Sequence, residues 1–117
     1  MTKLLPYRPQ GGESLPIYNI GQADSKQAIF LGSSAAEGIT SPDLARVAIF
    51  ICDNPVFYER DATPTIPTAE ETSGSAWYVP ADRMEGDSGL DGGTSTLNFI
   101  RALATDTIIT IYFFNDQ

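Results

Sequence analysis

The chain has 117 residues, with 15 acidic and 7 basic side chains and a net charge of −8. This length predicts one domain. The acidic balance argues against binding to nucleic acid phosphates or to an anionic membrane. The chain has no histidine and one cysteine, Cys52, which excludes a disulfide within the chain and a histidine-activated nucleophile. No apolar run is long enough for a signal peptide or a bilayer span, so we expect synthesis in a cytoplasm.

Residues 1–16 predict an extended N-terminal arm. Its helix-breaking residues are Pro6, Pro9, Gly11, Gly12 and Pro16. Its apolar side chains, which have little local structure to bury them, are Leu4, Leu5 and Tyr7. The alternatives are an unordered terminus and an arm packed on its own domain or on a neighbour. We favour the packed arm, followed by one domain over 17–117.

Short strands are predicted at Ile17–Ile20 and Gln27–Leu31, followed by a loop of small residues at 32–41. The next run, 43–53, is the longest apolar stretch outside the C-terminus. Read with a period of two, its wholly apolar face consists of Ala45, Val47, Ile49 and Ile51. Its mixed face consists of Leu44, Arg46, Ala48, Phe50 and Cys52.

That alternation suits a strand with one side in a core and the other partly covered. A helix beginning at Ser41-Pro42-Asp43 is the alternative, because these residues form a good helix start. The β-branched and aromatic residues of the run, and its lack of a polar face, favour the strand.

The second half of the chain predicts further strands separated by turns. Val56–Arg60 is expected to form a hairpin with the central strand through the Asn54-Pro55 turn, and 61–75 to form a long loop. The remaining predicted strands are Ser75–Val79, a short one around Arg83-Met84, Thr96–Arg101 (with a helix as alternative) and Thr107–Phe114. This spacing predicts an all-β protein: a single antiparallel β-sandwich, jelly-roll or Ig-like, of about 6–8 strands.

Residues that could carry chemistry are few. The carboxylate pairs Glu70-Glu71 and Glu85 with Asp87 lie in loops that lack an apolar setting to raise a pKa. The segment 87–93 offers oxygen ligands for calcium, but Gly89 occupies the third ligand position and no glutamate closes the loop. A turn is therefore favoured there, and a small buried hydrophobe is favoured for Cys52. We predict no enzyme activity, no cofactor and no metal.

Two pairs of adjacent aromatic residues stand out. In a strand, Trp77 and Tyr78 point to opposite faces, so we expect one to fill the core and the other to be exposed. Phe113 and Phe114 suggest burial on both sides of the last strand, or a subunit contact as a second use.

The order of several segments resembles small β-sandwich virion proteins of tailed bacteriophages. The segments span roughly Gln27 to Phe114 and are 45–50, 54–58, 72–81 (Thr-Ser-Gly-Ser-Ala-Trp-Tyr-Val-Pro-Ala), 97–102 and 107–111. The chain departs from that pattern at Asp82, where such proteins usually have glycine, and in a longer 85–93 loop. The resemblance implies no catalytic residues, because these virion proteins share no active site.

The resemblance implies a capsid cement or decoration protein that bridges capsid subunits, assembled in the host cytoplasm and located on the capsid surface of the virion. The expected partners are the major capsid protein and further copies of the chain, with a trimer favoured and a dimer as alternative. The expected interface residues are Leu4, Leu5, Tyr7, Arg8, Trp77, Tyr78 and Phe114. The alternatives are a tail or head–tail component, or a tail-borne carbohydrate-binding module with Trp77 or Tyr78 beside Asp82 or Asp87.

Overall fold

The computed structural model describes residues 20–66 and 76–115 in full, and the backbone of two earlier strands. The strands before the 3₁₀ turn at Ile20–Gln22 are β1 (Leu4–Tyr7) and β2 (Leu15–Tyr18). The strands after it are β3 (Ser25–Leu31), β4 (Glu37–Thr40), β5 (Ala45–Cys52), β6 (Val56–Arg60), β7 (Trp77–Val79), β8 (Glu85–Asp87), β9 (Thr96–Arg101) and β10 (Thr107–Asn115).

Strands β3 to β10 form two four-stranded antiparallel sheets, which confirms the predicted all-β sandwich. One sheet has the order β3-β10-β5-β8 and the other the order β4-β9-β6-β7. The chain passes between the sheets at nearly every connection, and this order is that of an eight-stranded jelly roll. Strands β1 and β2 pair with each other in a separate two-stranded sheet. Among the described residues, no helix is long and apolar enough to cross a membrane.

Two local predictions were wrong. The predicted β5–β6 hairpin does not form, because β5 pairs with β10 and β8 while β6 pairs with β9 and β7 in the other sheet. The Asn54-Pro55 turn therefore links the two sheets. The segment 32–41, predicted as a loop, contains β4, whose backbone pairs with β9 although Ile39 is its only large apolar residue. The helix alternatives for 43–53 and 97–104 are also excluded.

The core lies between the sheets and is centred on three rings from different strands. Phe50 of β5 packs against Tyr58 of β6 and Phe99 of β9, with ring centroids 4.9 and 5.3 Å away. The Tyr58 and Phe99 rings are 5.0 Å apart. All three side chains are essentially unexposed. Aromatic rings supply much apolar area per residue, so this cluster contributes heavily to the stability of a small sandwich.

Apolar content alone does not indicate which face of β5 points into the core. Its mixed face is the inner one, with Ala48, Phe50 and Cys52 in the core. On the wholly apolar face, Ile49 and Ile51 are only partly buried and Val47 is buried, while Ala45 at the start of the strand belongs to the core. On the inner face, Phe50 packs against rings of the opposite sheet.

Three of the described residues other than glycine adopt the left-handed backbone region, namely Leu44, Asp61 and Asp82. Their φ angles are 71°, 62° and 58°. Aspartate tolerates this region better than most residues. Glycine would adopt the backbone conformation of Asp82 without strain.

Candidate functional site

The edge strand β7 carries two exposed aromatic side chains, Trp77 and Tyr78. They are 51% and 57% exposed. The prediction that one of them would fill the core was therefore wrong, although they do point to opposite faces. The Trp77 ring leans on Tyr58, with centroids 5.5 Å apart, and the Tyr78 ring meets Phe57 edge-on at 5.5 Å. Both are exposed where β7, a strand of three residues, forms the edge of its sheet and has β6 as its one partner among the described strands.

Behind Trp77, a buried carboxylate connects the two sheets. Asp87 of β8 is 4% exposed. Its Oδ2 accepts a hydrogen bond of 2.6 Å from the Tyr58 hydroxyl on β6. Its Oδ1 accepts from the Arg60 guanidinium at 2.6 Å and from the Gly89 backbone N–H at 2.9 Å. We call this arrangement of Tyr58, Arg60 and Asp87 the polar clasp. Both carboxylate oxygens of Asp87 accept hydrogen bonds, and the Arg60 guanidinium carries the opposite charge. The cost of burying the negative charge of Asp87 is therefore compensated.

The polar clasp and Trp77 line a shallow cleft together with Glu59. Burial, and then the hydrogen bond to Asp87, raise the pKa of Tyr58 above its ordinary value. The phenol therefore stays protonated at neutral pH and acts as a donor to Asp87. With both carboxylate oxygens of Asp87 occupied, the cleft offers ring faces and a partly exposed guanidinium. Such a surface binds by stacking and hydrogen bonding.

The loop weighed as a calcium site is organised around other contacts. Asp87 is turned inward into the polar clasp, and the Asp91 carbonyl accepts hydrogen bonds from the hydroxyls of Ser41 and Thr94. Within residues 20–66 and 76–115, no three acidic or cysteine side chains are grouped as a metal would require. Of the two carboxylate pairs, Glu70-Glu71 lies outside the described residues. The other does not act as a pair, because Asp87 bonds to Tyr58 and Arg60 instead.

Cys52 is a free, fully buried thiol in the core. Burial, and then the nearby Asp53 carboxylate, raise its pKa to about 12. A thiol with so high a pKa is almost entirely protonated at neutral pH and is a poor nucleophile.

The remaining interface residues predicted from the sequence fall into two groups. Leu4, Leu5 and Tyr7 lie in β1, but their side chains, like the whole of Arg8, lie outside the described residues. Phe114 has none of its surface exposed and packs within the chain. Of the predicted set, only Trp77 and Tyr78 are exposed among the described residues, and they lie on opposite faces of β7.

Sequence reasoning missed the polar clasp and one exposed apolar patch. The clasp joins residues 27 and 29 positions apart, and nothing in the local pattern around Asp87 indicates that contact. The patch consists of Phe30 and Ile108, which are directly paired on β3 and β10 and are 60% and 47% exposed. The sequence did carry a signal for this patch, because the apolar run 28–31 and the strand β10 both place apolar side chains on two faces.

No protein-family model matches this chain, and no curated protein or solved structure matches it either.

Proposed function

We propose that the protein is a structural component of a bacteriophage virion, most simply a capsid cement or decoration protein that bridges capsid subunits. The observation that carries the proposal is the exposed Trp77–Tyr78 pair on the short edge strand β7 of a jelly roll. Aromatic side chains held rigidly at an edge are typical of binding surfaces. Jelly rolls are common in viral capsid proteins and in lectins, and here that supports the proposal by analogy only.

The chemistry of the described residues is consistent with a binding role. The buried carboxylate is fully hydrogen-bonded, the thiol is buried and protonated, and Tyr58 is held neutral. A protein that works by shape needs none of these groups to be reactive. The major capsid protein and further copies of the chain are the proposed partners, on the capsid surface. The trimer that the resemblance implies is the starting expectation for the particle.

The direct test is reconstitution on capsids assembled from the major capsid protein of the same genome. We expect the protein to sediment with these capsids and to occupy lattice points in a particle reconstruction. Trp77→Ala combined with Tyr78→Ala should weaken the affinity for the capsid at least about tenfold, since aromatic anchors commonly contribute about 2 kcal/mol or more and about 1.4 kcal/mol corresponds to a tenfold change in Kd. Leu103→Ser, at another exposed apolar residue, is the matched control.

Deletion of residues 1–12 tests the arm separately. We expect attachment to be lost while the sandwich keeps its near-ultraviolet circular dichroism. Unchanged attachment would remove the arm from the interface. Density at the tail axis would instead favour the tail or head–tail alternative.

The cleft beside Trp77 favours a second candidate, a tail-borne carbohydrate-binding module. A half-exposed indole next to Arg60 offers the stacking face and donor that sugars use. Trp77 is the only tryptophan, so its fluorescence reports directly on this cleft. Titration with host surface polysaccharide should change that emission if this candidate is correct, and the change should be absent in Arg60→Gln if the guanidinium contributes.

A further inference from the structure

Among the strands that the structure describes, β3 lies at an edge of its sheet. It is seven residues long, contains no proline or glycine, and has β10 as its one neighbour within the described part of the chain. By contrast, β7 and β8, which lie at the ends of their sheets, have three residues each. A long regular edge with unpaired backbone groups is a template for strand addition.

The outward-facing backbone groups of β3 follow from the hydrogen bonding of β10. The Asp53 N–H donates to the Ile108 carbonyl at 3.2 Å, so the backbone groups of Ile108 face β5. Because these groups alternate along a strand, those of Ile109 and Ile111 face β3. Their partners are Ile29 and Gln27. The residues of β3 that turn their N–H and C=O groups away from β10 are therefore Lys26, Ala28 and Phe30.

We propose that two copies of the chain associate through β3, antiparallel about a two-fold axis at Ala28, to form one continuous eight-stranded sheet. With this centre, Ala28 faces Ala28 of the second copy, and Lys26 faces Phe30 of the second copy. All three outward-facing residues then exchange backbone hydrogen bonds in reciprocal pairs. The proposal concerns the free protein and does not rest on its proposed place in a virion.

The side chains on the outer face suit this register. Lys26, Ala28 and Phe30 are all exposed, and within the chain Lys26 pairs with Tyr112. In the dimer each Lys26 ammonium would lie between the Tyr112 ring of its own copy and the Phe30 ring of the other, a favourable cation–π position.

The two other centres on outward-facing residues, Lys26 and Phe30, are poorer. A centre at Lys26 would set two ammonium groups against each other, and one at Phe30 would extend the pairing beyond the end of β3. A two-fold contact of this kind closes on itself, so it predicts a dimer and cannot build a threefold ring.

Sedimentation velocity over a roughly hundredfold concentration range tests the contact, because a dimer populates by mass action. We expect a monomer–dimer equilibrium that strengthens with added salt, since two chains of charge −8 repel each other. Ala28→Lys places two ammonium groups at the axis and should weaken association at least about tenfold. Thr110→Lys is the matched control, because Thr110 lies on β10 directly opposite Ala28 and on the same face of the sheet, but away from the dimer axis. This variant should leave the dimer largely intact.

Amide hydrogen exchange supplies a second readout that does not depend on any variant. The N–H groups of Lys26, Ala28 and Phe30 should gain protection as concentration rises, while those of Gln27 and Ile29 are protected throughout. A monomer at every concentration, a trimer, or a dimer that leaves these three amides unprotected would each overturn the proposal. A dimer lost equally in Ala28→Lys and Thr110→Lys would overturn this register.

Discussion

At the scale of single residues, Leu44 has an unfavourable backbone conformation. Its φ of 71° brings Cβ close to the following carbonyl oxygen, and its side chain is 65% exposed, so little packing offsets that strain. We predict that Leu44→Gly raises the free energy of unfolding by about 0.5–1 kcal/mol, the relief of strain exceeding the added entropy of the unfolded chain. Urea denaturation measures this difference.

Leu103→Gly is the matched control for Leu44→Gly. Leu103 is 55% exposed and is not among the described non-glycine residues with positive φ. We expect this variant to be destabilised, because it gains unfolded-state entropy without relieving strain. Equal effects of the two substitutions would contradict the assignment of strain to Leu44.

Cys52 makes stability depend on pH in the alkaline range. Its folded-state pKa is about 12 against an ordinary 9.0, so the folded chain keeps a proton that the unfolded chain loses. Stability from this group is therefore complete below pH 9 and declines up to about pH 12, by at most about 1.4 kcal/mol per pH unit. Tyr58 adds a decline that begins near pH 10. In Cys52→Ala, the decline measured by denaturation between pH 9 and 10 should largely disappear; an unchanged slope there would contradict this account.

At the scale of elements, the polar clasp fixes β8 of one sheet to β6 of the other. Asp87→Ala leaves the buried Tyr58 hydroxyl without its acceptor, whereas Arg60 is partly exposed and can be solvated. We expect a loss of about 2–3 kcal/mol, and about 1–2 kcal/mol for Tyr58→Phe. A double-mutant cycle should show strong coupling between the two changes.

The control for the clasp is the ion pair of Arg101 and Asp106, whose nitrogen and oxygen atoms are 3.4 Å apart and whose carboxylate, unlike that of Asp87, is 68% exposed. Asp106→Ala should change stability by less than about 0.5 kcal/mol, because water solvates this carboxylate and screens the pair. A loss as large as that of Asp87→Ala would show that burial is not what makes the clasp strong.

The elements also show which features of the chain could be predicted from sequence. Strands such as β5 and β10 were predictable because runs of β-branched and aromatic residues suit a pleated sheet. Strand β4 was not, because Gly38 and Glu37 carry no apolar signal and the strand exists through its backbone pairing with β9. The strands that pair with β6 could not be predicted from the sequence either. A short turn after β5 is compatible both with a β-hairpin and with a connection from one sheet to the other.

The candidate site was predictable only in part, for the same reason. Trp77 and Tyr78 were identified by residue type, but their joint exposure depends on the shortness of β7 at its sheet edge. Asp87 was interpreted as a loop acid because its neighbours are glycine and serine. Its role depends on Tyr58 and Arg60, which reach it only once the two sheets have packed together.

At the scale of the whole molecule, the jelly roll depends on its last strand. β10 lies between β3 and β5, pairs with both, and supplies Ile109, Ile111 and Phe113 to the core. Without it, three inner side chains and the backbone pairing of two strands are lost at once. Such a loss exceeds the stability of about 5–15 kcal/mol that a domain of this size has.

We therefore predict that a chain ending at residue 106 does not fold, whereas one ending at Asn115 does. The dispersion of amide resonances and the near-ultraviolet signal of Trp77 distinguish the two outcomes.

Because β3 and β10 lie at opposite ends of the sandwich sequence, folding must close a long loop before this sheet forms, and this slows folding. The shorter chain should regain cooperative unfolding when a peptide of residues 107–117 is added in excess, since the vacant position between β3 and β5 would accept that strand. Cooperative unfolding of the truncated chain without the peptide would show that β10 is dispensable.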